Sequence, residues 1–193
     1  MGGRGYTVFD TAVGRCGIVW SDAGIVGVQL PEAREIDTRR RIFQLHPEAR
    51  EQRPTLNAEM AIDGIVALLQ GGNSDLCGVV LDVDGIPRFS QRVYEVARAI
   101  PRGETRSYDE LAAQMRPTGA MHSVAQAIAK NPFMIVVPCH RVLDTGKYAD
   151  GISPYGGVIS KRRLLSIEGA HPSASSRTLF DALLPVAPPR PHN

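Results

Sequence analysis

The amino-acid sequence predicts two successive folding units. Residues 1–85 read as an α/β N-terminal domain, an antiparallel sheet plus a helix, and residues 86–170 as a mostly helical domain containing a helix-turn-helix. Three observations predict this. Short apolar runs separated by turn signals give way near residue 86 to apolar residues at helical spacing. Two short helical stretches joined by about four residues follow, the arrangement of a helix-turn-helix. The charge also divides: residues 1–85 hold eight Arg, no Lys and twelve Asp/Glu, a net −4, whereas residues 86–169 hold twelve Lys/Arg against seven Asp/Glu, a net +5.

Each element has its own signal. The runs "YTVFD", "CGIVW" and "IVGVQL", separated by "VGR" and "SDAG", predict a meander of antiparallel strands. In the charged stretch from Glu32 to Arg53, "RRRIF" fits either a helix end or a loop. "NAEMAIDGIVALLQGG" places Ala61, Ile65 and Leu68 at i, i+4 and i+7 before a glycine stop, a helix that Gly64 weakens. "LCGVVLDV" reads as a further strand.

Beyond Ile86, "FSQRVYEVARAI" sets Phe89, Val93, Val96 and Ile100 on one helical face, and Pro101 with Gly103 ends it. Ser107 and Glu110 have the S-x-x-E spacing of a capping box opening the helix "SYDELAAQM". After the turn "RPTG", "AMHSVAQAIAK" gives a helix with Met121, Val124 and Ile128 toward the core, ended by Asn131-Pro132. "MIVVPCHRVL" then reads as a buried strand leading into Cys139, and a Gly/Asp/Tyr-rich loop runs to Gly157. "VISKRRLLSIEG" predicts a last helix with Ile159, Leu164 and Ile167 inward and Lys161, Arg162 and Arg163 largely solvated. Residues 171–193 hold five of the 14 prolines and are expected to be largely disordered, with "SRTLFDALL" a candidate docking helix.

Composition narrows the function classes. No apolar run is long enough to span a bilayer, "MGGRGYTVFD" has no hydrophobic targeting segment, and it misses the myristoylation pattern at its sixth position. A soluble, cytoplasmic protein is therefore expected, with no membrane partner. Cys16, Cys77 and Cys139 are far apart and form no C-x-x-C pair or Cys/His cluster, so neither a metal site nor a disulfide framework is indicated. The basic second half is the natural seat of an acidic partner, although a solvated basic surface accounts for +5 equally simply.

Cys139 stands between Pro138 and His140. A thiol attacks as its thiolate, so a reactive Cys139 needs help to ionise, and the adjacent imidazole, directly or through water, is the usual kind of partner. Glu168 is a carboxylate of the right type to orient that imidazole. The residues alone leave two readings open, a nucleophile and a small buried core side chain.

The stretch "IPRGETRSYDELA", followed by "NP", "VVPCHRV" and G-G-x-x-x-K-x-x-L-L-x-x-E-G, resembles the signature of the O6-alkylguanine-DNA alkyltransferases over roughly Phe89 to Gly169. The resemblance implies a ribonuclease H-like N-terminal domain and a winged helix-turn-helix-like C-terminal domain. It implies direct damage reversal without a cofactor. Double-stranded DNA carrying O6-alkylguanine would be bound through the minor groove by a monomer, nucleoid-associated when on DNA, and the lesion base rotated into the protein. Cys139 would take the alkyl group irreversibly, with His140 receiving its proton and Glu168 orienting His140. Tyr108 would donate to guanine N3, the Cys139 and Val142 carbonyls would receive the exocyclic amine, and the Tyr155 N–H would face O6, with Ser107 and Gly156 beside the base. Asn131 would brace the cysteine turn and Arg141 would serve as an ion-pair partner. His122, Ser123, Arg106, Arg116 and Lys130 would face DNA, where phosphate neutralisation supplies affinity.

Two departures from the family pattern bear on this. The arginine that normally enters the gap left by the flipped base is here His122, and an imidazole is shorter and mostly neutral above a pH of about 6.5. The loop between Cys139 and Gly156 is also about two residues longer than the norm and carries Pro154-Tyr155 before its Gly-Gly pair. Weaker base flipping, an already exposed substrate or a different alkyl group would follow. Two other functions remain compatible with the sequence: a sensor that binds alkylguanine without transfer, and a cysteine alkyl acceptor redirected to another substrate.

Overall fold

The computed structural model describes residues 3–74, 76–115, 121–143 and 161–170. In the N-terminal half, strands β1 (Gly5–Thr11), β2 (Gly14–Trp20) and β3 (Ile25–Gln29) form the expected antiparallel meander. A two-residue strand β4 (Arg50–Glu51) adds to β1 in parallel, making a mixed sheet of order β3-β2-β1-β4.

The strand period of two divides β2 between two faces. Val19 joins Ile42 and Ala49 in a small cluster under helix α1 (Glu35–Leu45), the element that the charged stretch left undecided. A Cβ on Gly17 would run into Ile42, so this glycine sets how closely α1 approaches the sheet. Cys16, Ile18 and Trp20 face the other way, toward helix α2 (Leu56–Leu69). Thr55 caps α2 by accepting the Ala58 N–H, and Ala61, Ile65 and Leu68 are buried as their spacing predicts. Gly64, the apparent weak point, lies where a Cβ would collide with Leu76 and Ser74, so the glycine admits the loop that follows the helix.

That loop corrects one expectation. "LCGVVLDV" is not a strand: Leu81 makes only an isolated bridge to Ile25. Side chains take over its backbone groups. Asn57 pairs with both the N–H and the C=O of Val80, and Arg98 Nη2 donates to the carbonyls of Leu76, Cys77 and Val79. With those groups satisfied, a continuous ladder is not needed.

In the second half, helices α3 (Arg88–Arg98), α4 (Tyr108–Gln114) and α5 (Met121–Ala129) pack on one another, preceded at α4 by the two-residue strand β5 (Arg106–Ser107). Ser107 and Glu110 form the predicted reciprocal capping box at the start of α4. One apolar core runs from β2 and α2 through α3, α4 and α5 to Leu164 of helix α6 (Lys161–Glu168). Among the described residues, no helix is long and apolar enough to cross a membrane.

The run before Cys139 is also not a strand. Phe133 through Val137 are all buried, as their apolarity required, but the chain turns at Ile135 and Val136, with the Val137 N–H donating to the Phe133 carbonyl at 2.8 Å. Ile135 sits at φ 72°, a left-handed conformation unusual for a β-branched residue. The Val28 N–H donates to the Pro132 carbonyl, which fastens the turn to the edge of β3. A one-turn 3-10 helix (Cys139–Arg141) follows, and then strand β6 (Val142–Leu143), paired in parallel with β5.

Candidate active site

The β5–β6 pairing builds the site, because it sets Arg106 and Ser107 beside Val142 and Leu143 and so brings the start of α4 against the Cys139 segment. Asn131 stiffens that segment from beneath. Its wholly buried amide donates to the Val137 carbonyl at 3.0 Å and accepts from the Phe133 N–H at 2.9 Å, spanning the turn that delivers Cys139.

Cys139 is buried, with its Sγ 3.5 Å from Met134 Sδ. Burial pushes its thiol pKa up, against the pull of the Lys161 charge and a hydrogen bond with Asn131. The resting side chain is therefore a thiol, and the thiolate anticipated from the sequence must form during reaction. Next to it, His140 is buried with Nε2 2.8 Å from Glu168 Oε1, while its Nδ1 has no hydrogen-bond partner among the described residues. Burial holds the imidazole pKa below its ordinary value despite Glu168. A neutral ring that faces a carboxylate through Nε2 carries its proton there, which leaves Nδ1 as the basic nitrogen.

Glu168 remains charged. Burial would raise its pKa, but hydrogen bonds from His140 and Arg141, with the Arg141 charge, bring it down to about 2. Arg141 grips the carboxylate with two nitrogens, at 2.9 and 2.8 Å, and also donates to the Ile100 carbonyl. It occupies the ion-pair position expected for it.

Tyr108, the first residue of α4, is buried with its hydroxyl 3.4 Å from Lys161 Nζ. The same ammonium donates to the Val142 carbonyl at 3.3 Å and lies 5.8 Å from the Tyr108 ring centre. Lys161 is the residue that sequence reasoning missed. It was expected in solvent and is instead half-buried between two residues named for the base pocket. The lysine of G-G-x-x-x-K was the available signal. Of the other residues named for the base, Ser107 uses its hydroxyl as the α4 cap, and the Cys139 carbonyl already accepts the Val142 N–H. A carbonyl has a second lone pair for a further donor.

On α5, His122 is exposed and 2.9 Å from Gln126, Ser123 is half-buried, and Lys130 is exposed after the helix end. Arg106 pairs with Glu104 at 2.8 Å, so part of its charge is already answered. Arg116, Tyr155, Gly156, Ile159, the long loop and the Pro-rich tail lie outside the described residues. Among the described residues no cluster of His, Cys, Asp and Glu could hold a metal ion.

Comparison with known proteins places this geometry in context. The model of the 6-O-methylguanine DNA methyltransferase DNA-binding domain matches residues 88–170. A methylated-DNA–protein-cysteine methyltransferase from Methanothermobacter thermautotrophicus is 35% identical over 153 residues, which cover 79% of this chain and 78% of that protein. Among solved structures, OGT of Mycobacterium tuberculosis in complex with DNA is 29% identical with a TM-score of 0.62, covering 85% of this chain and 92% of that one. O6-methylguanine-DNA methyltransferase from Pyrococcus kodakaraensis is 25% identical with a TM-score of 0.66, covering 86% of this chain and 99% of that one.

Proposed function

Because the chain belongs to the methylated-DNA–protein-cysteine methyltransferase family, we propose that it repairs DNA by moving an alkyl group from guanine O6 onto its own Cys139, once per molecule. The observation that carries this reading is the His140–Glu168 pair immediately after a buried thiol in the chain: the imidazole's Nε2 is committed to a carboxylate and its Nδ1 has no partner among the described residues, which suits it to take the Cys139 proton.

The chemistry follows from those atoms. The Cys139 S–H proton passes to His140 Nδ1, directly or across one water, and the imidazolium is stabilised by Glu168. The thiolate attacks the alkyl carbon, a C–S bond forms and the C–O6 bond breaks. The electron pair returns to the purine, where donation from the Tyr108 hydroxyl to N3 relieves the developing charge. Lys161, against Tyr108 and Val142, adds a positive charge at the place where negative charge appears. The guanine anion takes up a proton from solvent as His140 gives its own back, so neutral guanine stays in the DNA and the protein keeps an S-alkylcysteine, a thioether that His140 cannot reverse. This accounts for a single turnover.

The finer fold and partner assignments belong to the same reading. The β3-β2-β1-β4 order, antiparallel and then parallel, supports a ribonuclease H-like first domain over 1–85. Helices α4 and α5 with the β5–β6 pair support a winged helix-turn-helix-like second domain over 86–170 that takes duplex DNA carrying O6-alkylguanine. His122, Ser123 and Lys130 on or after α5, with Arg106 and Arg116, would face that duplex.

The test is direct. Incubation with a duplex containing O6-methylguanine should add the mass of one methylene to the peptide containing Cys139 and to no other, and Cys139→Ala should gain nothing. Duplex binding without that gain would favour a lesion sensor; neither result would favour a redirected acceptor.

A further inference from the structure

A cavity of about 260 Å³ lies behind the cysteine turn, between the end of α2, the loop after it and the C-terminal end of α3. Three arginines line it, Arg98, Arg102 and Arg141, and none of the described lining residues is acidic. Arg141 is neutralised by Glu168. Arg98 and Arg102 have no carboxylate partner among the described residues: Arg98 Nη2 rests on loop carbonyls, and Arg102 Nη2 donates to the carbonyls of Gly71 and Ile167. Arg102 Nε is buried with no acceptor among the described residues. An N–H left in that state is costly unless something accepts from it. The remaining wall is largely apolar, and it includes Ile135, the residue held at φ 72°, and Pro138, which precedes the nucleophile. Strained backbone of this kind gathers at ligand sites.

We propose that this cavity binds a small organic anion, a carboxylate or phosphate on a short apolar body, with Arg98 and Arg102 taking the charge. The volume suits part of a small molecule rather than a macromolecule. No lining residue comes from α4 or α5, so the site is separate from the helices assigned to DNA. An occupant would touch the back of the turn that carries Cys139 and, through Arg141, the carboxylate that orients His140.

Cys77 supplies the reporter. It lines the cavity and is exposed, whereas Cys16 and Cys139 are buried. In the full-length protein, modification of the Cys77 peptide is followed by mass spectrometry with an anionic aryl disulfide and with a neutral one. The anionic reagent is expected to react about tenfold faster relative to a free thiol standard, since a cationic cleft concentrates anions. Phenyl phosphate should protect Cys77 where benzyl alcohol does not, and Asn73→Asp, which sets a carboxylate on an exposed lining position, should abolish both effects without disturbing the fold. Equal rates for the two reagents, equal protection by the alcohol, protection by duplex DNA alone, or an unchanged preference in Asn73→Asp would each overturn the proposal. None of these readouts depends on alkyl transfer, so failure here leaves the repair reading intact.

Discussion

His140 and Glu168 are joined through Nε2 and Oε1 at 2.8 Å, with both side chains fully shielded from solvent. That contact fixes which imidazole nitrogen is basic, and Arg141 keeps the carboxylate ionised while it does so. Replacing Glu168 with Gln removes the negative charge and leaves Arg141 buried without its counter-ion. Transfer measured on folded protein in a single turnover should slow by about 10²- to 10⁴-fold, the range of a misoriented general base. Urea melts should show a loss of about 3–5 kcal/mol. Normal transfer in Glu168→Gln would remove Glu168 from the relay.

The same network sets the response to acid. Glu168 has its folded pKa depressed to about 2 from an ordinary 4.5, so its contribution to stability is complete above pH 4.5 and is lost as pH falls toward 2. His140 is also depressed, from 6.5, and its contribution is complete above that value and lost as pH falls below it. Both slopes have one sign. Unfolding free energy should therefore decline in two stages, first below about pH 6.5 and again below about pH 4.5. His140→Gln should reduce the first stage without abolishing it, because burial also lowers the pKa of His46, and should leave acid loss at the second. Identical slopes between pH 7 and 5 in the parent and in His140→Gln would contradict the burial of a neutral His140.

Much of this was legible from local signals. The Ser107 capping box, the buried faces of α2 and α5 and the Cys-His pair were readable because each depends on neighbours within a few residues. The two misread strands show the limit. "LCGVVLDV" and "MIVVPCHRVL" have the apolarity of buried strands, and the second is buried throughout Met134–Val137, but shape was decided by distant side chains. Asn57 and Arg98 satisfy one backbone, and Asn131 with the edge of β3 satisfies the other. Lys161 was missed for a related reason. A helix face rich in cations reads as solvated until the fold brings Tyr108 and Val142, far away in sequence, against one of them.

Lys161 then has a testable role. Its charge is the largest influence opposing the burial-driven rise in the Cys139 pKa. Lys161→Met should push the thiol further up and move the pH dependence of transfer toward alkaline values, with neutral-pH transfer reduced by about tenfold. Lys161→Arg should restore part of the rate. An unshifted pH profile in Lys161→Met would mean that the lysine only fills space.

Asn131 can be tested by stability and by transfer together. Asn131→Ala leaves the buried Phe133 N–H without its acceptor, whereas the Val137 carbonyl loses one of two donors and keeps the Cys139 N–H at 2.8 Å. One buried group left unsatisfied costs about 1–3 kcal/mol, and the melt should register a loss of that size. Transfer by the folded remainder should fall as well, because the turn that aims Cys139 loses its brace. Full transfer activity with only the stability loss would confine Asn131 to the fold.

His122 gives the clearest test of the DNA reading, because it stands exposed on α5 where the alkyltransferase pattern has an arginine. Its near neighbour is Gln126, 2.9 Å away, and no core contact constrains a replacement. His122→Arg adds reach and a permanent charge without touching the thiol relay. Binding to an O6-methylguanine duplex should tighten, and the plot of log affinity against log salt should steepen by about one unit for the added phosphate contact. Transfer from the duplex should accelerate, whereas transfer from a single strand, where no base pair must open, should stay the same. This asymmetry separates a flipping role from simple charge. An arginine that only neutralises phosphate would improve binding to both substrates through the same salt-dependent route and leave the ratio of their transfer rates unchanged.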